Sequence, residues 1–234
     1  MVDDPSGDMQ MAAATTLVLV CKRPRPGYGK QRLARELGRE LTCRLAALML
    51  DCALEDLADW PGPTVIAPAD PGDEAWAREA SPPATVHVQR EGNLGERLEA
   101  LDDTIAQGDP APRLYIGMDA PGLAGATLRH AAACLADAPV VLIPARDGGV
   151  VAMGTARGWP PLAGLPWSRD TLCNALATAC EARGHSVTRL GEGADVDTVD
   201  ALQSLAGTLP DDPRPARRRL LAWLRANLPD GMPA

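Results

Sequence analysis

The sequence predicts a single doubly wound α/β domain, with a mostly parallel sheet and helices on both faces. Three observations carry this. Short apolar, β-branched runs alternate with stretches of helical periodicity along most of the chain. The 234 residues fit one large domain, and 46% of them are apolar, enough for a sizeable core. Aromatic residues make up only 3%, with no Phe, so that core is built from Leu, Val, Ile, Ala and Met.

The elements follow in order. Residues 1–11 are polar and acidic and read as a disordered tail, with Met11 as an alternative start. The run TTLVLVC at 15–21 is continuously apolar, as a buried parallel strand requires. Residues 22–30, rich in Pro, Gly and cations, form a loop, and 31–60 a helix with a break near Gly38. Strands at 64–67 and 85–88 alternate with helices at 73–80 and 94–107. A strand at 114–117 leads to a helix at 123–136. A strand at 140–144 is followed by its antiparallel return at 150–154. A helix at 171–183 takes Ser168 as its N-cap, and a strand at 187–190 precedes a helix at 198–205. Residues 213–228 form an amphipathic helix whose arginines read as a solvated face. The organisation is a tail at 1–11, a core domain at 12–208 and a docking C-terminal helix within 209–234.

Net charge is −8, from 23 Lys and Arg against 31 Asp and Glu, and the pI is near 4.9. Such a surface repels phosphate backbones, and the chain lacks aromatics for stacking bases, so nucleic acid is not an expected partner. Mean hydropathy is −0.11. No 18-residue apolar run is present, so no membrane span is expected. The first ten residues lack the pattern of a secretory signal. The six cysteines form no C-x-x-C pair and sit in apolar patterns, as reduced packing residues of a cytoplasmic protein do. The three histidines are scattered, which disfavours a zinc site or a Cys-His nucleophile.

In doubly wound sheets ligands sit beyond the carboxyl ends of the strands. The first strand runs into KRPRPGYGKQRL, which carries Lys22, Arg23, Arg25, Lys30 and Arg32 in an otherwise acidic chain. Gly27 and Gly29 allow close backbone approach to a ligand, and a helix follows, so the segment reads as a phosphate site or as a solvated basic loop. Its spacing matches neither G-x-x-x-x-G-K-[ST] nor G-x-G-x-x-G. Lys30 is expected to be exposed without ligand. Asp119, in MDAPG after the 114–117 strand, is placed to hold Mg²⁺ or to cap the following helix. In DVDTVD, Asp195 and Asp197 point the same way from an extended stretch, and one of them completes a metal site with Asp119 or caps a helix. Asp147, Gly148 and Gly149 form a pocket wall or a plain hairpin turn. GNLGERL, with Gly92 and Asn93, is a glycine turn opening a helix.

Together K-R-P-x-P-G-x-x-K-x-R-L, G-N-L-G-E-R-L, I-G-M-D-A-P-G-L, P-A-R-D-G-G, L-P-W-S and D-V-D-T-V-D-A-L, in this order, span 22–202. The chain resembles the CofC-like transferases of the nucleotide-diphospho-sugar transferase superfamily, including glycosyltransferases linked to arsenosugar biosynthesis. The resemblance implies a GT-A fold. It places Lys22, Gly27, Lys30, Arg32, Gly92 and Asn93 on a nucleotide and makes Asp119 and Asp197 ligands of Mg²⁺ or Mn²⁺. It puts Asp147, Gly148 and Gly149 on the acceptor side and makes Lys30, Asp119 and Asp197 the catalytic set. Two departures stand out: Gln31 where the family usually has Thr, and Val150 where an aromatic usually follows D-G-G.

The reaction expected first is Mg²⁺-dependent nucleotidyl transfer. An acceptor phosphate or phosphonate oxygen attacks the α-phosphorus of a nucleoside triphosphate and pyrophosphate leaves. The alternative is glycosyl transfer from a nucleotide-diphospho-sugar, and a third reading is a non-catalytic nucleotide-binding homologue. The partners are a nucleotide and a small-molecule acceptor, and a homodimer stays open.

Overall fold

The computed structural model describes residues 5–228. Its strands are β1 (Thr16–Cys21), β2 (Thr64–Pro68), β3 (Thr85–Val86), β4 (Arg113–Ile116), β5 (Val140–Pro144), β6 (Val150–Thr155) and β7 (Val187–Arg189). The helices are α1 (Pro5–Ala13), α2 (Gln31–Leu37), α3 (Arg39–Ala58), α4 (Glu74–Ala80), α5 (Leu94–Gly108), α6 (Gly125–Cys134), α7 (Leu172–Ala182), α8 (Val199–Thr208) and α9 (Pro215–Asn227). The strands form one sheet in the order β3-β2-β1-β4-β6-β5-β7. Every pairing is parallel except those of β6, which runs antiparallel to both β4 and β5.

Sheet burial explains the composition of the strands. In β1, Leu17, Leu19 and Cys21 face one apolar layer, with Ile66, Leu114, Leu50 and Leu128. Val18 and Val20 face the other, with Tyr115, Leu142, Leu98 and Leu176. A strand covered on both sides must be apolar at successive positions, which is the pattern of TLVLVC. A third apolar cluster joins α2 and α3 to α8 and α9 through Leu33, Leu45, Met49, Leu202, Leu220 and Leu224.

The break expected near Gly38 in the 31–60 helix divides it into α2 and α3. Gly38, at φ 81° and ψ 159°, ends α2 and starts α3; that φ suits a residue without Cβ. Ser168 is not the cap of α7. The helix starts at Leu172 after Thr171, and Ser168 sits upstream in a turn at φ 63°. Of the tail expected to be disordered, residues 1–4 lie outside the described residues and the rest belongs to α1. Ala12 of α1 is fully buried. The end of α1 also crosses Gly62, whose Cβ, if present, would lie 2.5 Å from the Ala12 carbonyl. This docking depends on a distant glycine, which a polar local composition does not reveal.

The arginines of α9 are not all solvated. Arg217 is fully buried and donates to Asp56 Oδ2 at 2.6 Å, to Glu55 Oε2 at 3.0 Å and to the Pro121 carbonyl at 3.2 Å. Arg214, just before the helix, donates to Asp56 Oδ1 at 2.7 Å and to the Leu123 carbonyl at 3.0 Å. Helical periodicity puts Arg217 on the apolar face with Leu220, Leu221 and Leu224, where buried carboxylates of α3 meet it.

Candidate functional site

The loops after β1, β3, β4 and β7, and the start of β6, lie at one edge of the sheet, because β6 alone is reversed. They enclose a cleft of about 690 Å³ lined by Lys22, Lys30, Asn93, Asp119, Asp195 and Asp197, among others. Asp119 and Asp197 therefore share one end of the sheet, and the backbone ties them: the Val196 amide donates to the Asp119 carbonyl at 2.8 Å.

Lys30 is at the centre. Its Nζ lies 2.7 Å from Asp119 Oδ1 and 2.9 Å from Asp197 Oδ1, and it donates to the Val196 carbonyl at 2.5 Å. The lysine side chain is 9% exposed, whereas the two carboxylates are 52% and 50% exposed. The ammonium is thus shielded from solvent, contrary to the exposed state expected, while the acids stay open to the cleft. Burial pulls the Lys30 pKa down, but Asp119 and Asp197 outweigh it and the pKa is raised above that of an ordinary lysine. Lys30 sits at φ 46° and ψ 42°, in the left-handed region, which costs a non-glycine residue of order 1–3 kcal/mol.

Neither acid is a helix cap. The residue before α6 is Ala124, and Thr198, not Asp197, caps α8 by accepting from the Ala201 amide at 3.2 Å. Asp195 is half-buried; burial first, then Asp147 and Asp197, pushes its carboxyl pKa up. Two hard carboxylates converging in an open cleft are a donor set that suits Mg²⁺ or Mn²⁺, with phosphate oxygens and water as the remaining ligands. Among the described residues no group of three or more His, Cys, Asp or Glu side chains is arranged to hold a metal by itself.

The basic loop is partly neutralised internally. Arg25 pairs with Asp70 at 2.8 Å and with Asp73 at 2.6 Å. Arg23 lies 3.6 Å from Asp73 and over the Trp76 ring, and Lys22 lies over the Tyr28 ring at 5.6 Å. Gln31, the departure from Thr, donates to the Gly27 carbonyl at 2.9 Å and so ties the glycine loop down. Gly27, Arg32 and Gly92 are not among the residues lining the cleft. Asn93 lines it but also caps α5 in a reciprocal capping box with Glu96. Asp147, Gly148 and Gly149 form the hairpin turn. Asp147 Oδ1 accepts from the Gly149 amide at 2.9 Å, and from this segment Val150 lines the cleft.

The cleft also contains residues that motif reading passed over. Gln89, buried after β3, donates to the Ala67 carbonyl at 2.6 Å and accepts from Arg97 Nη1 at 3.1 Å. Arg97 is the arginine of G-N-L-G-E-R-L and Trp167 the tryptophan of L-P-W-S, so both motifs carried the signal. Trp167 commits its indole N–H to the Leu162 carbonyl at 2.8 Å. Gly95 accommodates this: a Cβ there would lie 2.2 Å from that carbonyl oxygen and 2.6 Å from the indole nitrogen.

The fold is that of nucleotide-diphospho-sugar transferases and nucleotidyltransferases. A solved candidate nucleotide-diphospho-sugar transferase from Desulfovibrio desulfuricans G20 superposes with a TM-score of 0.81 at 21% identity, over 92% of this chain and 98% of that one. A cytidylyltransferase from Leptospira borgpetersenii serovar Hardjo-bovis (strain JB197) does so with a TM-score of 0.54 at 12% identity, over 92% and 94%. No curated protein matches the sequence. The profile of the family described as "Uncharacterized protein conserved in bacteria (DUF2064)" matches residues 53–169, half of the chain, and the protein belongs to that family.

Proposed function

We propose that the protein is a divalent-metal-dependent transferase acting on a nucleotide. The leading reaction is nucleotidyl transfer from a nucleoside triphosphate to a phosphorylated or phosphonate small molecule, with release of pyrophosphate. The observation that carries this reading is the convergence of Lys30, Asp119 and Asp197 in the cleft. The resemblance to CofC-like transferases supports it.

Asp119 and Asp197 would hold Mg²⁺ or Mn²⁺, which when bound neutralises charge on phosphate oxygens. Lys30 and Lys22, which line the cleft, would orient the phosphates and balance their charge. Asp147, Gly148 and Gly149 would face the acceptor through the turn before β6. An ionised acceptor oxygen attacks phosphorus without a protein base. Among the described residues no helix is long and apolar enough to cross a membrane; a cytoplasmic setting belongs to the same proposal.

A second reading, glycosyl transfer from a nucleotide-diphospho-sugar, is favoured by one observation. Arg23 and Arg25 are held by Asp70 and Asp73, which leaves less free cationic charge for a triphosphate.

A thermal-shift series of nucleoside triphosphates and nucleotide-diphospho-sugars, with Mg²⁺ and with EDTA, tests both. A ligand at 100 times its Kd stabilises by about 2.7 kcal/mol, a shift of several degrees. Triphosphate-selective, Mg²⁺-dependent shifts accompanied by pyrophosphate release are expected. Sugar-nucleotide-selective shifts would favour the second reaction, shifts without turnover a non-catalytic homologue, and no shift at all refutes nucleotide use.

A further inference from the structure

We propose that Lys30 is an internal counter-ion for the Asp119 and Asp197 pair, so that the pair accepts a divalent cation only when an anionic phosphate draws the ammonium away. The ligand of the site is then the metal–nucleotide complex and not the free metal. This rests on the nucleotide-transferase reading above.

The ammonium has three N–H groups, and three acceptors surround it: Asp119 Oδ1, Asp197 Oδ1 and the Val196 carbonyl. Its hydrogen bonding is complete without any ligand. The acids are about half exposed, so what opposes a cation entering between them is the ammonium itself rather than a lack of access. A dication at the same carboxylates would stand within a few ångströms of a like charge in a partly shielded site, where repulsion is stronger than in water. Phosphate oxygens in the cleft offer the ammonium acceptors of equal charge and release both carboxylates. Because coupling is reciprocal, metal and nucleotide each raise the other's affinity by the same factor. The backbone holds the arrangement in register, since Val196 both accepts from Lys30 and donates to Asp119.

The test is Mn²⁺ binding without nucleotide, read as free Mn²⁺ by electron paramagnetic resonance. Lys30→Met keeps the length and packing of the side chain and removes its charge. It is expected to bind Mn²⁺ alone at least about tenfold more tightly than the wild type, although its nucleotide affinity falls. Lys30→Gln repeats the measurement if circular dichroism finds the Met variant unfolded. In Lys30→Met/Asp119→Asn the gain should disappear. Equal or weaker Mn²⁺ binding by the Lys30 variants overturns the proposal, as does a gain that survives the loss of Asp119. The readout contains no nucleotide, so it is separable from the reaction. Absence of nucleotide binding would defeat the transferase reading, and unchanged Mn²⁺ affinity would defeat the counter-ion role.

Discussion

Asp119 carries the sharpest single-residue prediction. Its ion pair is with Lys30, it caps no helix, and its side chain is half exposed. Asp119→Asn should change folding stability by at most about 1 kcal/mol, because the amide oxygen can still accept from Lys30 and Asp197 remains its counter-ion, while removing the charge a hard cation requires. Nucleotide titrations with Mg²⁺ and with EDTA are expected to coincide for this variant and to differ for the wild type. Retained Mg²⁺ dependence would remove Asp119 from the metal site. Lys30, Asp119 and Asp197 were legible in the sequence because Lys30 follows Gly29 in the basic loop after β1, Asp119 follows closely on β4, and Asp197 lies in the acidic DVDTVD segment after β7. Gln89 was not. Its role comes from the carbonyls of Cys21 and Ala67, distant along the chain, and from Arg97 on the helix that follows.

At the scale of elements, the C-terminal helix steadies the site. Arg214 and Arg217 reach from α9 and its approach to carbonyls of the loop that carries Asp119, and both grip Asp56 of α3. Burial raises the pKa of the Asp56 carboxyl even though Arg217 and Arg214 pull the other way. Removing one partner of such a cluster strands the rest. Arg217→Met is expected to lose about 3 kcal/mol in urea denaturation, whereas replacing the exposed Arg218 should cost less than about 0.5 kcal/mol. Equal effects would mean that the helix behaves as a solvated amphipathic face. The sequence showed the periodicity of α9 plainly. It did not show which arginine was buried, because that depends on Glu55 and Asp56 lying opposite.

Across the whole molecule, the thiols report packing. Cys21, Cys52, Cys173 and Cys180 are buried, while Cys43 and Cys134 are partly exposed. Burial, helped by Asp73, pushes the Cys21 thiol up to about 12. Burial also raises Cys52 to about 12 against the pull of Arg217. Thiol labelling at neutral pH is expected to reach at most Cys43 and Cys134 in the folded protein, and all six cysteines in denaturant without reductant. Four or fewer in denaturant would reveal disulfides.

The sequence by itself determined the order of strands and helices from β1 onward, because a strand covered on both faces must be apolar at every position and its surrounding helices at every third or fourth. It also determined which loops gather at the site, since parallel strands deliver their carboxyl ends to one edge. Val150 to Thr155 was legible as the reversed strand because only a short turn separates it from β5. The tertiary structure alone decided what the charges do. Arg23 and Arg25 turn to Asp73, Arg217 goes inside, α1 docks over Gly62, and Lys30 leaves solvent to lie between Asp119 and Asp197. The physical reason is range. Hydrophobic periodicity is a property of neighbours along the chain, but an ion pair joins residues as far apart as Lys30 and Asp197, and its strength depends on how much water the fold removes around them.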